Sequence, residues 1–179
     1  MTSVSELLER NSSFATARFR ADLEINPSGD LMVIGCVDPR VDPARILGLE
    51  QGEAAVIRNV GGRVTPATLR SLAMLKKVGE AHRSARPPDD WNLVILHHTD
   101  CGMTDLAAFP GLLAGYFDIP AEELPAKSVT DPFASVKVDV GMAVQEIRRS
   151  HYFVTGLVYD VATGRVEQVV PPTAAGAPS

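Results

Sequence analysis

The sequence predicts an α/β fold, a mostly parallel central β-sheet flanked by helices, with a helical N-terminus and a C-terminal hairpin. Three observations carry this. Residues 31–34, 54–57 and 93–96 are short continuous apolar runs, as expected of strands buried on both faces. Asp42-Pro43, Thr65-Pro66 and Asp131-Pro132 each put a capping side chain before a proline, which marks helix starts between and after those runs. Residues 153–159 and 165–170 alternate around Ala162-Thr163-Gly164, as the arms of a hairpin do. Alternating strands and helices imply right-handed crossovers, and ligands of such sheets bind beyond the carboxyl ends of the strands.

At 179 residues the chain is most simply one domain, residues 1–179, with room for a sizeable core. Its hydrophobic fraction of 45% and charged fraction of 22% are ordinary for a soluble globular protein. A formal net charge of −5 argues against nucleic acid or an anionic membrane as partner. No apolar stretch approaches the roughly 20 residues of a membrane-spanning helix. Glu6, Glu9 and Arg10 replace the basic start and apolar centre of a signal peptide, so a cytoplasmic location is expected.

Taken in order, residues 3–24 are expected to be helical, with Val4, Leu7, Leu8, Phe14, Ala15 and Phe19 as a loose apolar stripe. Read alone, that stripe favours a packing helix over an arm laid on a partner. Residues 26–30 form a turn cluster, and residues 31–34 the first strand. Pro39 gives Asp38 an extended backbone. Asp42 then caps a short helix through Leu47. The second strand, 54–57, leads into Arg58-Asn59-Val60-Gly61-Gly62-Arg63, where paired glycines permit positive φ. A long helix follows from Thr65 and ends before the polar, proline-broken stretch 83–90. After the third strand, residues 105–130 are interrupted by proline and glycine and read as short helical turns. The last helix opens at Asp131-Pro132, and Phe133, Val136, Val140, Val144 and Ile147 give it one apolar face. The tail from 171 to 179 is expected to be disordered.

Two loops at strand ends hold the chemistry: Cys36-Val37-Asp38-Pro39-Arg40 and His98-Thr99-Asp100-Cys101. They contain both cysteines of the chain. Two thiols and an imidazole, Cys36, His98 and Cys101, suit a zinc ion with three protein ligands and an open fourth position, the arrangement of a catalytic site. The competing readings are buried cysteines acting as small apolar residues, or a Cys–His redox pair. His98 has the i, i+3 spacing to Cys101, which leaves His97 as a packed or hydrogen-bonded histidine. His82 and His151 are expected to face solvent. Asp38 and Arg40 leave an extended segment on the same face. There Arg40 can grip a carboxylate that would otherwise compete for the open position. Asp100 is expected to cap the next helix, with orientation of a ligand as the alternative. Arg58, Asn59, Gly61 and Gly62 could cradle an anion or make a tight turn at a subunit contact.

The combination Cys-x-Asp-x-Arg, Arg-Asn-x-Gly-Gly and His-x-x-Cys-Gly resembles the β-class carbonic anhydrases, from Met32 to Gly156-Leu157-Val158-Tyr159-Asp160. The resemblance implies one zinc on Cys36, His98 and Cys101, with Asp38 and Arg40 as the catalytic dyad. It implies reversible hydration of carbon dioxide to bicarbonate and a proton by a zinc-bound hydroxide. It also implies that residues 1–25 form an N-terminal helical dimerisation arm, in a homodimer or tetramer. That overrides the packing-helix reading. Val33 stands where a bicarbonate-inhibited subgroup carries tryptophan, and no glutamine precedes Cys36 to match plant-like sites. The form His-His-Thr-Asp-Cys-Gly-Met resembles a branch that includes carbonyl sulfide and carbon disulfide hydrolases. The alternatives are such a hydrolase, or a non-catalytic binding protein that keeps zinc for folding.

Overall fold

A computed structural model describes residues 1–82, 90–147 and 152–176. Among the described residues, five strands form one sheet in the order β2-β1-β3-β4-β5. They are β1 (Leu31–Cys36), β2 (Ala54–Asn59), β3 (Trp91–His98), β4 (Tyr152–Asp160) and β5 (Arg165–Ala174). The first four run parallel, and β5 closes the sheet antiparallel to β4. The mostly parallel sheet flanked by helices and the terminal hairpin are therefore as expected. Ile34, Leu93, Ile95 and Val154 are fully buried, and burying each such side chain is worth about 1.5–3 kcal/mol.

The helices are α1 (Val4–Ala17), α2 (Pro43–Ile46), α3 (Pro66–Ala81), α4 (Pro110–Phe117) and α5 (Pro132–Glu146). The predicted caps are in place. Asp42 accepts from the amide of Ala44, Thr65 from Thr68, and Asp131 from Phe133 and Ala134. As expected, residues 105–130 hold short helical pieces, with 3-10 turns at Asp105–Ala108 and Ala121–Lys127 around α4.

The buried side of α5 is Ser135, Val136, Asp139, Val140 and Ala143, so it carries two polar residues that an apolar stripe does not predict. Phe133, assigned to the stripe, is 37% exposed. The helix lies close on the sheet at Gly156. A Cβ there would meet Val136, Val140 and Val170 at 3.1 Å each.

Two expectations need correction. The first helix ends at Ala17, where Arg18 donates to the Phe14 carbonyl, and does not reach 24. None of its residues is buried against the chain, so no core contact supports further turns. Residues 171–174 are strand, not tail, and the amide of Ala175 donates to the Tyr152 carbonyl at 2.8 Å. Two prolines are tolerated there because β5 is an edge strand and its register slips at a bulge opposite Val154–Gly156. His82 is exposed, as expected. His151, residues 83–89 and the last three residues of the expected tail lie outside the described residues. Among the described residues, no helix is long and apolar enough to cross a membrane.

Candidate metal centre

Strands β1 and β3 are parallel neighbours, so the loops at their carboxyl ends emerge side by side. Cys36 and His98 are the last residues of those strands. Cys101 returns toward them after Asp100, whose φ of 52° turns the chain sharply. One ligand atom from each of Cys36, His98 and Cys101 lies within 4.8 Å of the other two. The two sulfurs are 4.0 Å apart. Two thiolates at about 2.3 Å from a tetrahedral zinc would stand roughly 3.8 Å apart, so the spacing fits that ion.

The imidazole is oriented by its own backbone. His98 Nδ1 lies 2.8 Å from the Thr99 carbonyl and must donate to it, which leaves the lone pair on Nε2. That Nε2 is buried and, among the described residues, has no hydrogen-bond partner. A buried nitrogen lone pair beside two sulfurs calls for a cation of the zinc type, and the absence of oxygen donors in the set argues against magnesium or calcium.

The sulfurs are electrostatically linked. The Cys101 thiol donates toward Cys36, which outweighs burial and, with His98 and the amides of Asp38 and Gly61, holds the Cys36 thiol well below its usual range. Cys101 is pushed up, first because it holds the proton shared with Cys36 and then by burial. Burial lowers the His98 pKa, but the Cys36 sulfur outweighs it and the net direction is up. A cation bound here would displace the proton that the sulfurs share.

Asp38 is gripped by Arg40. Nη2 donates to Oδ2 at 2.7 Å, Nε lies 3.1 and 3.2 Å from the two oxygens, and the Arg40 amide adds a bond to Oδ1 at 2.9 Å. These contacts hold the Asp38 carboxyl down at about 2, despite some opposing burial. The other side of the guanidinium crosses to the second loop. Arg40 Nη1 reaches Asp100 Oδ2 at 2.7 Å and Nη2 reaches the Asp100 carbonyl at 2.8 Å. Asp100 is thus a partner of Arg40 and not the expected helix cap, because its left-handed backbone aims the carboxylate back at the first loop. From β2, Arg58 donates to the carbonyls of Cys36 (2.8 Å) and Asp38 (2.7 Å) and pins the first loop.

Of the two readings of the glycine loop, the geometry is that of a tight turn. Asn59 accepts from the Arg63 amide at 2.7 Å and donates to its carbonyl at 2.7 Å. Gly62 has φ +66°, and a Cβ there would lie 2.9 Å from the Leu96 carbonyl oxygen and 3.0 Å from the Cys36 nitrogen. Only glycine lets this turn close on both site strands.

One cluster escaped the sequence reading. Arg63 and Asp139 form an ion pair with side chains 2% and 0% exposed, with Nε to Oδ2 at 2.8 Å. His97 is buried, as expected, with Nδ1 2.8 Å from Ser135 Oγ. Its Nε2 lies 3.2 Å from Asp139 Oδ2 without forming a hydrogen bond. The available signal was an acidic residue within the apolar α5, one turn after a serine.

The sequence model of the family described as carbonic anhydrase matches residues 31–114. Beta-carbonic anhydrase 1 of Mycobacterium tuberculosis is 33% identical over 174 residues, spanning 96% of this chain and 100% of that protein. A carbon disulfide hydrolase of Acidianus sp. is 26% identical over 190 residues, spanning 90% of this chain and 86% of that one. Among solved structures, a carbonic anhydrase from Streptococcus mutans superposes with a TM-score of 0.70 at 29% identity, covering 94% of this chain and 98% of the other. An α/β sheet with this site at its strand ends thus has enzymes of known class as relatives. The chain belongs to the β-carbonic anhydrase family and is an enzyme of that class of lyases.

Proposed function

We propose that this protein catalyses the reversible hydration of carbon dioxide to bicarbonate and a proton, with one zinc per chain held by Cys36, His98 and Cys101. The observation that carries the proposal is the unpartnered, buried His98 Nε2 beside two sulfurs, with the Asp38 carboxylate held by Arg40 two residues after Cys36. Zinc held there would supply Lewis acidity, lowering the pKa of water at its open position.

The chain's own residues do the rest. Asp38 has two possible partners, the metal and Arg40, and the guanidinium keeps both carboxylate oxygens engaged. Held in that way, Asp38 remains ionised at neutral pH and can accept a hydrogen from the attacking water, fixing the direction of its lone pair. Arg40 also ties the first loop to Asp100 in the second, so the two walls of the site are set by one side chain.

We also propose that residues 1–179 act as one domain whose N-terminal arm docks on a second copy, giving a homodimer or a tetramer built from dimers. Val4, Leu7 and Leu8 on that helix and Phe19 just beyond its end are more than half exposed, which supports a partner for the arm. Two adjacent free thiols suit a reducing compartment, and we place the protein in the cytoplasm.

Stopped-flow hydration of carbon dioxide by zinc-loaded protein, run beside hydrolysis of carbonyl sulfide and carbon disulfide, tests the reading. Rapid hydration with negligible release of sulfide is expected. Preferred turnover of a sulfur substrate would reassign the enzyme to the hydrolase branch. Absence of all three activities with zinc bound would leave the metal as a folding element.

A further inference from the structure

We propose that Asp139, which lies on α5 and touches none of the three candidate ligands, is a positioning residue for the metal centre. The inference rests on the metal reading above and adds a residue to it. Asp139 is fully buried. Its Oδ2 accepts from Arg63 Nε at 2.8 Å and from the Val64 amide at 2.9 Å, and Oδ1 accepts from Arg63 Nη2 at 3.1 Å. Oδ2 also faces His97 Nε2 at 3.2 Å.

Each of these partners stands one step from a site loop. Arg63 directly follows Gly62, which lies against the Cys36 nitrogen. His97 directly precedes His98 on β3, and its other nitrogen is held by Ser135, one turn before Asp139 on the same helix. A single carboxylate therefore spans the turn behind the first candidate ligand and the residue before the second. The remaining Arg63 contacts, Nη2 to the Lys127 carbonyl at 2.7 Å and the guanidinium 4.9 Å over the Phe117 ring, fix where the carboxylate's partner lies. A buried pair of this kind gives little stability over a well-packed apolar replacement, whereas its directed bonds specify where the attached backbone goes. Outer groups that orient metal ligands typically change metal affinity 10- to 100-fold when they are lost.

The test uses the full chain loaded with cobalt(II), whose visible bands report ligand geometry. Four proteins are compared: wild type, Asp139→Asn, the neutral pair Arg63→Gln with Asp139→Asn, and Val154→Ala. Val154 is fully buried in β4 and outside this network, so its variant reports general destabilisation. The expected result is at least about tenfold weaker cobalt binding in chelator competition for both Asp139 variants, with shifted visible bands. Val154→Ala should melt earlier yet keep the wild-type spectrum and affinity. Wild-type spectrum and affinity in a folded Asp139 variant would overturn the proposal. If Asp139→Asn does not fold, the neutral pair decides, since it leaves no uncompensated guanidinium. Failure of both to fold would make the pair purely structural and overturn it too. A wild type that binds no cobalt would instead remove the metal reading itself.

Discussion

The Asp38 carboxylate is held by the guanidinium of Arg40, and on the proposed reading a metal on Cys36, His98 and Cys101 would compete for it. Removing Arg40 should let the carboxylate close the fourth metal position. Arg40→Ala is therefore expected to lose nearly all hydration activity and to bind azide poorly. Asp38→Ala should also be slow, but its metal should stay open and bind azide well. In the double variant azide binding should recover relative to Arg40→Ala, the non-additivity of residues that act as a unit. Equal azide affinity in the two single variants would show that Arg40 does not restrain a competing ligand. Gly62 supplies a second test at this scale. Alanine there would meet the backbone of β1 and β3 at about 3 Å while adopting a positive φ. The strain and overpacking together should cost roughly 2–4 kcal/mol, read from denaturant unfolding, and weaken metal retention in parallel.

Helix α5 is where element and site meet, and its buried acid makes a prediction about pH. Burial raises the Asp139 pKa, but His97 and the Arg63 guanidinium outweigh it, and the net direction is down. A carboxyl lowered on folding contributes stability above its unfolded pKa of about 4 and loses that contribution as pH falls through its folded value. Wild-type unfolding free energy should therefore drop more steeply than that of Asp139→Asn below about pH 5, although the variant is weaker at pH 7. Parallel curves in urea titrations across that range would contradict the assignment. Asp139 also shows where sequence reading stops. The strand runs and their loops were legible, because continuous apolar stretches followed by polar chemistry are a local pattern. Asp139 depends on Arg63, 76 positions away, so a count of apolar residues along α5 sees only an interruption. The bounds of α1 and β5 were misread for related reasons. Serines and a threonine in α1 satisfy carbonyls four residues back without any core contact. The prolines of β5 are compatible with a strand only at the sheet edge that tertiary structure creates.

For the whole molecule, the arm and the sheet lead to different measurements. A 14-residue helix with no buried residue is marginal on its own, and the Ser3–Glu6 capping box fixes only its start. Deleting residues 1–24 should yield aggregate or unstable monomer in light scattering, and a well-folded active monomer would refute the dimer proposal. The sheet bears on kinetics. Cys36 and Cys101 lie 65 positions apart, on loops that meet only once β1 and β3 have paired in parallel. Parallel pairing of distant segments is slow, because the chain loses loop entropy before the contacts form. Interactions made after the rate-limiting barrier change the rate of leaving the native state and not the rate of reaching it. Added zinc should therefore leave the refolding limb of a chevron unmoved and lower the unfolding limb, so that the metal acts as a latch on a finished fold. A faster refolding limb would mean that the two loops meet before the sheet does.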